Sequence, residues 1–339
     1  MSGYEPGEQP PPDVKVIKLN TNENPYPPSP AAMEILRTLD RERLRRYPDP
    51  FSGQVRQAVS RVFHFPDDWI IVGNGSDELL SLLLRACCEP GKPVAYAMPT
   101  YVLYRTLAEL QDAECVEVPY DEDYRLPVDE LAATRSPLTI VCSPNSPSGT
   151  VASLDDLKRL ATAVSGLLAV DEAYVDFADG NALELVKQHD NVIVLRTLSK
   201  GYSLAGLRLG FGITQPPLIE ELIKVKDSYN VNAVSCFIGA AAILDQSYKN
   251  DNAGRVVASR KKLSDALAEM GFRVWPSQSN FLLVRPPKGD AERLYFSLKQ
   301  EGILVRYFRQ PRLEDKLRIT VGTDDENASL LRSLARLIV

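Results

Sequence analysis

The residues of this chain best suited to chemistry lie in the stretch Thr197-Leu-Ser-Lys200-Gly-Tyr-Ser-Leu-Ala-Gly-Leu-Arg208. It follows residues 192–195, Val-Ile-Val-Leu, a continuous apolar run that reads as a buried strand. A lysine just past such a strand, with hydroxyls before it and an arginine after it, suits a small molecule that is both an aldehyde and a phosphate. The amine can condense with the aldehyde to a Schiff base. Thr197, Ser199 and Arg208 can hold a dianionic phosphate by charge-assisted hydrogen bonds.

Three further segments each begin where a predicted strand ends, and ligands of open parallel sheets bind at that edge. In Gly73-Asn-Gly75-Ser76-Asp77-Glu78 the glycines let the backbone approach an anion, and the N–H groups of a helix start favour one. Ser76 is equally suited to capping that helix, with Asp77 and Glu78 complementing its dipole; either acid would repel a phosphate it faced. The rigid turn Ser143-Pro-Asn145-Ser-Pro-Ser-Gly149 presents Asn145, whose amide can donate to a phenolate oxygen. In Val170-Asp171-Glu-Ala-Tyr174 a carboxylate ends a buried strand and needs a cation, either a protonated pyridine nitrogen or a structural arginine. Tyr174 can donate to a ring oxygen beside it.

Composition narrows the function classes. With only two histidines, His64 and His189, and five cysteines that form no C-x-x-C pair, a histidine metal site and a Ser-His-Asp triad are disfavoured. A net charge of −6 gives no reason to expect nucleic acid, and no apolar run approaches the length of a membrane span. The proline-rich N-terminus lacks the apolar core of a secretory signal, and the unpaired cysteines suit a reducing cytoplasm.

Between about residues 52 and 230, strand-like runs near 69–72, 94–97, 115–118, 138–142, 167–170, 192–195 and 209–213 alternate with helical segments. One such helix is capped at Ser52, with Val55, Ala58, Val59 and Val62 on one face. That alternation predicts an α/β architecture with a mainly parallel sheet covered on both faces. After about residue 235 the expected order is a long helix over 252–270, strands near 272–275 and 281–284 and a helix over 291–300. Strands near 303–307 and 317–321 and a final helix over 325–338 complete a smaller α+β unit.

These motifs are joined by Asn22-Glu-Asn-Pro25, Arg46-Tyr47-Pro-Asp49, Pro99-Thr-Tyr101 and Leu317-Arg318-Ile-Thr-Val-Gly322. Together they resemble the pyridoxal-phosphate (PLP) aminotransferases of fold type I over nearly the whole chain, and the histidinol-phosphate aminotransferases most. The resemblance implies the PLP-dependent transferase fold of type I: a large domain with a mainly parallel seven-stranded sheet and a smaller α+β domain. The expected divisions are an N-terminal arm at 1–40, the large domain at 41–235 and the small domain at 236–339.

The resemblance also implies roles. Lys200 holds the cofactor and then serves as acid and base. Gly75, Ser76, Thr197, Ser199 and Arg208 surround the phosphate, Asp77 is a further cofactor contact, Tyr101 stacks on the ring, and Asn145, Asp171 and Tyr174 meet its polar atoms. Tyr47 reaches the phosphate of the second subunit of a homodimer. Arg306 and Arg318 read the anionic end of the substrate, and Asn24 and Tyr26 line the entrance. The implied reaction is transamination of L-histidinol phosphate with 2-oxoglutarate; aromatic-amino-acid aminotransferases and a phosphothreonine decarboxylase share the frame. A PLP-binding regulator would carry a DNA-binding module, which the short proline-rich N-terminal stretch does not supply.

Overall fold

The computed structural model describes residues 8–10 and 14–338, so most of the N-terminal segment read as non-secretory lies outside the described residues. Seven strands form the large sheet, in the order Ile70–Gly73, Gly210–Ile213, Val192–Thr197, Leu167–Asp171, Leu138–Cys142, Pro93–Met98 and Glu114–Pro119. Gly210–Ile213 runs antiparallel to both neighbours, while the remaining pairs are parallel. The sheet is thus mainly parallel, as its apolar runs predict.

Alternation along the central strands divides their side chains between two cores. Val141, Val170 and Val194 enter the cluster on one face. Ile140, Ala169, Ile193 and Leu195 enter the cluster on the other. Helices therefore cover both faces, and the three central strands are buried throughout. The carboxyl ends of Ile70–Gly73, Leu138–Cys142, Leu167–Asp171 and Val192–Thr197 lie along one edge, so all four chemically suggestive segments open there.

Local capping explains several helix starts. Ser153 accepts from Asp156 N–H at 3.0 Å and begins Leu154–Ala163. Ser52 stands at the N-cap of Gly53–Phe63, but its side chain does not cap. The Asp49 carboxylate does that work, accepting from the N–H groups of Phe51 and Gly53 at 3.0 and 2.7 Å.

The C-terminal part builds a four-stranded antiparallel sheet in the order Arg306–Tyr307, Leu317–Thr320, Phe281–Arg285 and Arg273–Val274. Ile303–Leu304 instead pairs in parallel with Ile17–Lys18, so the strand expected over 303–307 is split between two sheets. Helices Ala291–Gln300 and Asp324–Leu337 pack Leu294, Leu298, Leu330 and Leu334 against that sheet. The last helix opens on a capping box of Thr323 and Glu326. Helix Ala233–Leu244 was not expected, and the long helix spans Gln246–Glu269 rather than starting near 252. Among the described residues no helix is long and apolar enough to cross a membrane.

Candidate active site

A cavity of about 980 Å³ opens at this sheet edge, between the large sheet and the C-terminal strands. Its lining includes Ser76, Asp77, Tyr101, Asp171, Tyr174, Thr197, Ser199, Lys200, Arg208, Arg306 and Arg318, eleven of the residues singled out from sequence.

Lys200 follows the strand Val192–Thr197 and keeps partial exposure toward the cavity. Its Nζ lies 3.4 Å from the Thr21 carbonyl and 5.6 Å from the centre of the Tyr174 ring. Burial of the amine, reinforced by the positive charge of Arg318, lowers its pKa to about 8. A lysine so placed gives up its proton far more readily than an exposed one.

Asp171 ends its strand fully buried. One oxygen accepts from the Tyr104 hydroxyl at 2.7 Å and the other from Ala173 N–H at 3.1 Å. Burial raises its pKa to about 6, with the Tyr104 hydrogen bond pulling the other way. The structural arginine that could have explained a carboxylate here pairs with its neighbour instead: Arg196 binds Glu172 at 2.7 Å. Among the described residues Asp171 forms no ion pair, so it is a buried carboxylate suited to a cation entering the cavity.

Two turns meet to make an anion site. Arg208 donates to Ser199 Oγ at 3.1 Å and to the Asp77 carboxylate at 3.0 Å, and Thr197 Oγ1 donates to Ser199 Oγ at 3.0 Å. Asp77 thus faces the arginine, while Glu78 turns away to the Asn230 amide at 2.8 Å. Ser76 is the first helical residue rather than the cap, which is Gly75 at φ 84°. A Cβ at Gly75 would come within 2.8 Å of Arg208 Nη2, so glycine is required both by its backbone and by the guanidinium beside it. Gly75 shapes this site from behind and does not itself line the cavity.

Asn145, Asn24, Tyr26 and Tyr47 are likewise absent from the lining. Asn145 is buried with its amide committed: Nδ2 donates to Ser148 Oγ at 2.9 Å, and Oδ1 accepts from Thr100 Oγ1 at 2.7 Å. The next residue, Ser146, lines the cavity and accepts from Arg318 Nη1 at 3.0 Å. Asn24 lies behind Lys200, donating to the carbonyls of Lys200 and Gly201 at 3.0 and 3.4 Å. Tyr26 packs under the Arg255 guanidinium, 3.6 Å from ring centre to Cζ. Tyr47 is 81% exposed and stacks on Tyr229 at 4.6 Å.

Arg306 and Arg318 occupy facing register positions on adjacent antiparallel strands. Both guanidinium groups also lie over the Phe308 ring, at 5.4 and 5.5 Å. Residues that sequence reasoning passed over complete the site: Asn22, Tyr104, Ser146 and the aromatic wall of Tyr295, Tyr307 and Phe308.

The family model for aminotransferase class I and II matches residues 14–334. The chain belongs to that family. It is similar to histidinol-phosphate aminotransferase 1 of Trichormus variabilis, 58% identical over 338 residues that cover 100% of this chain and 97% of the relative. The histidinol-phosphate aminotransferase of Rhodopirellula baltica is 44% identical, covering 96% of this chain and 90% of the relative. Among solved structures, the histidinol-phosphate aminotransferase of Sinorhizobium meliloti in complex with pyridoxal-5′-phosphate superposes with a TM-score of 0.89 at 27% identity, covering 96% of this chain and 91% of that one. The site of this aminotransferase fits such a cofactor. It offers hydroxyls and an arginine for a phosphate, a buried carboxylate that forms no ion pair among the described residues for a pyridinium, and an amine of lowered pKa for an aldehyde.

Proposed function

We propose that this aminotransferase uses PLP to transfer the amino group of L-histidinol phosphate to 2-oxoglutarate, giving imidazole acetol phosphate and L-glutamate in histidine biosynthesis. The observation that carries the donor is the pair Arg306 and Arg318, side by side in register and opening into the cavity that holds Lys200. Two adjacent guanidinium groups match a dianionic phosphoryl group, which needs more positive charge than a single carboxylate. The names of the relatives at 58% and 44% identity support the same donor.

When bound, PLP supplies the electron sink for the transfer. Ser76, Thr197, Ser199 and Arg208 would hold its phosphate, and Tyr101 would lie against its ring. The Asp171 carboxylate, fixed by the Tyr104 hydroxyl, would keep a proton on the ring nitrogen. The Tyr174 hydroxyl would donate to a ring oxygen. Lys200 would hold the aldehyde of PLP, and its amine, with its lowered pKa, would serve as the acid and base that moves the proton at the donor's Cα. The aromatic residues Tyr295, Tyr307 and Phe308 exclude water from one wall.

The working unit in this reading is a cytoplasmic homodimer in which Tyr47 reaches the phosphate site of the second subunit. Exposed apolar side chains at Met33, Leu36, Leu44, Tyr47 and Leu244 support such a face, because the helices bearing most of them pack together. The chain is divided as an N-terminal arm (1–40), a cofactor domain (41–235) and a smaller domain (236–339).

Initial rates with histidinol phosphate, phenylalanine and phosphothreonine, each with 2-oxoglutarate, test the donor. Histidinol phosphate should be used far faster than the others. A preference for phenylalanine would overturn the donor while leaving the aminotransferase chemistry intact.

A further inference from the structure

We infer that Asn22 is a positioning residue that sets which way the Tyr174 hydroxyl points its proton. Asn22 is 1% exposed and stands at φ 56°, a left-handed conformation that asparagine tolerates better than most residues. Its Nδ2 donates to Tyr174 Oη at 3.0 Å.

The orientation of that amide is fixed by a chain of donors. The Asn22 backbone N–H donates to Thr320 Oγ1 at 3.0 Å, so the threonine hydroxyl must spend its own proton elsewhere. It donates to Asn22 Oδ1 at 3.1 Å. The carbonyl end of the amide is therefore committed to Thr320, and only the NH₂ end can face Tyr174. The Asn22 carbonyl is held in turn by Asn280 Nδ2 at 2.9 Å.

A phenol has one proton. With a donor already on its oxygen, Tyr174 does not give that proton to Asn22 and has it free for an acceptor in the cavity. The ring is braced edge-on against Phe281 at 5.0 Å, so the hydroxyl cannot swing far. Burial raises the Tyr174 pKa to about 12 even with Arg318 and Asn22 pulling it down, so the proton is present at working pH. Arg318, Asp171, Cys142 and Lys200 are the other titratable or charged groups near this hydroxyl.

The inference rests on the reading of Tyr174 as a donor to a ring oxygen of PLP. It is tested on the holoenzyme by following the visible absorbance of bound PLP across neutral pH in the parent, Asn22→Gly, Tyr174→Phe and the double variant. Glycine keeps the left-handed backbone and removes only the amide. A hydrogen bond to the ring oxygen favours the deprotonated chromophore, so its loss raises the titration midpoint. Tyr174→Phe should raise it, Asn22→Gly should raise it by about half a pH unit, and the double variant should match Tyr174→Phe alone.

A midpoint unmoved by Tyr174→Phe would remove the reading of Tyr174 itself. A midpoint moved by Tyr174→Phe but not by Asn22→Gly, or full additivity in the double variant, would reduce Asn22 to a structural residue. Should Asn22→Gly fail to fold, Thr320→Val supplies the same test. It releases the amide to flip and should raise the midpoint likewise, and an unmoved midpoint there overturns the inference.

Discussion

Lys200 and Asp171 face one cavity, and burial drives each toward its neutral form, to pKa values of about 8 and about 6. Lys200→Ala should lower turnover by at least ~10³-fold, measured as glutamate formation, because the group that moves the proton is gone. Asp171 allows a test of stability without activity. Its folded pKa lies above the ordinary carboxylate value, so as pH rises the unfolded chain releases this proton first. In the cofactor-free protein the ionised group is therefore a burden absent below pH ~4 and growing as pH rises to ~6. Cofactor-free Asp171→Asn should be more stable than the parent at pH ~7.5 by about 1–3 kcal/mol, with the two converging below pH ~4 in thermal melts. Both residues stand out in the sequence because strand ends and buried charge leave few other uses for them. For Asn145 the motif places a turn at the sheet edge, but backbone geometry decides which of the consecutive side chains lines the cavity. In that turn Asn145 bonds to Ser148 and Thr100, and Ser146 lines the cavity.

At the scale of elements, the phosphate site depends on a strand that carries none of its side chains. Gly210 is paired in register with both Gly73 and Thr197, so it lies between the two turns. A Cβ there would come within 2.5 Å of the Ser76 nitrogen and 2.8 Å of the Arg196 carbonyl. Gly210→Ala should weaken PLP binding by about 10-fold or more in a fluorescence titration, through displacement of the Ser76 turn. The parallel strands were legible because burial on both faces leaves uninterrupted Val, Ile and Leu. The reversed direction of Gly210–Ile213 leaves no trace in composition, since an antiparallel strand buried on both faces looks the same. Helix Ala233–Leu244 is apolar nearly all round, so no 3.6-residue period announced it. The strand over 303–307 was split because Leu19 N–H takes the Leu304 carbonyl, while Arg306 turns to Leu317–Thr320.

The whole molecule presents Tyr47 to solvent, 81% exposed, stacked on Tyr229 and not among the residues lining its own cavity. If it completes the site of a second subunit, Tyr47→Phe should weaken PLP binding by about 10-fold, the loss of one hydrogen bond to a charged group. Mixed dimers of Tyr47→Phe with Lys200→Ala should then regain one tight site, built from the lysine of one chain and the tyrosine of the other. Mixing that leaves affinity at the Tyr47→Phe level would place the tyrosine in its own subunit. Homodimeric assembly was expected from resemblance alone, since exposed side chains on Arg41–Leu44 and its neighbours do not declare a partner in the sequence.

The short stretch from Ile17 to Asn24 bonds to Leu304, Thr320 and Asn280 on one side and to Tyr174 and Lys200 on the other. On the ribosome its early residues wait for partners made some three hundred positions later. Translation must pass Thr320 before the lysine and its phenolic neighbour are gripped from that side, so a nascent chain can close its central sheet well before it can seat a vitamin.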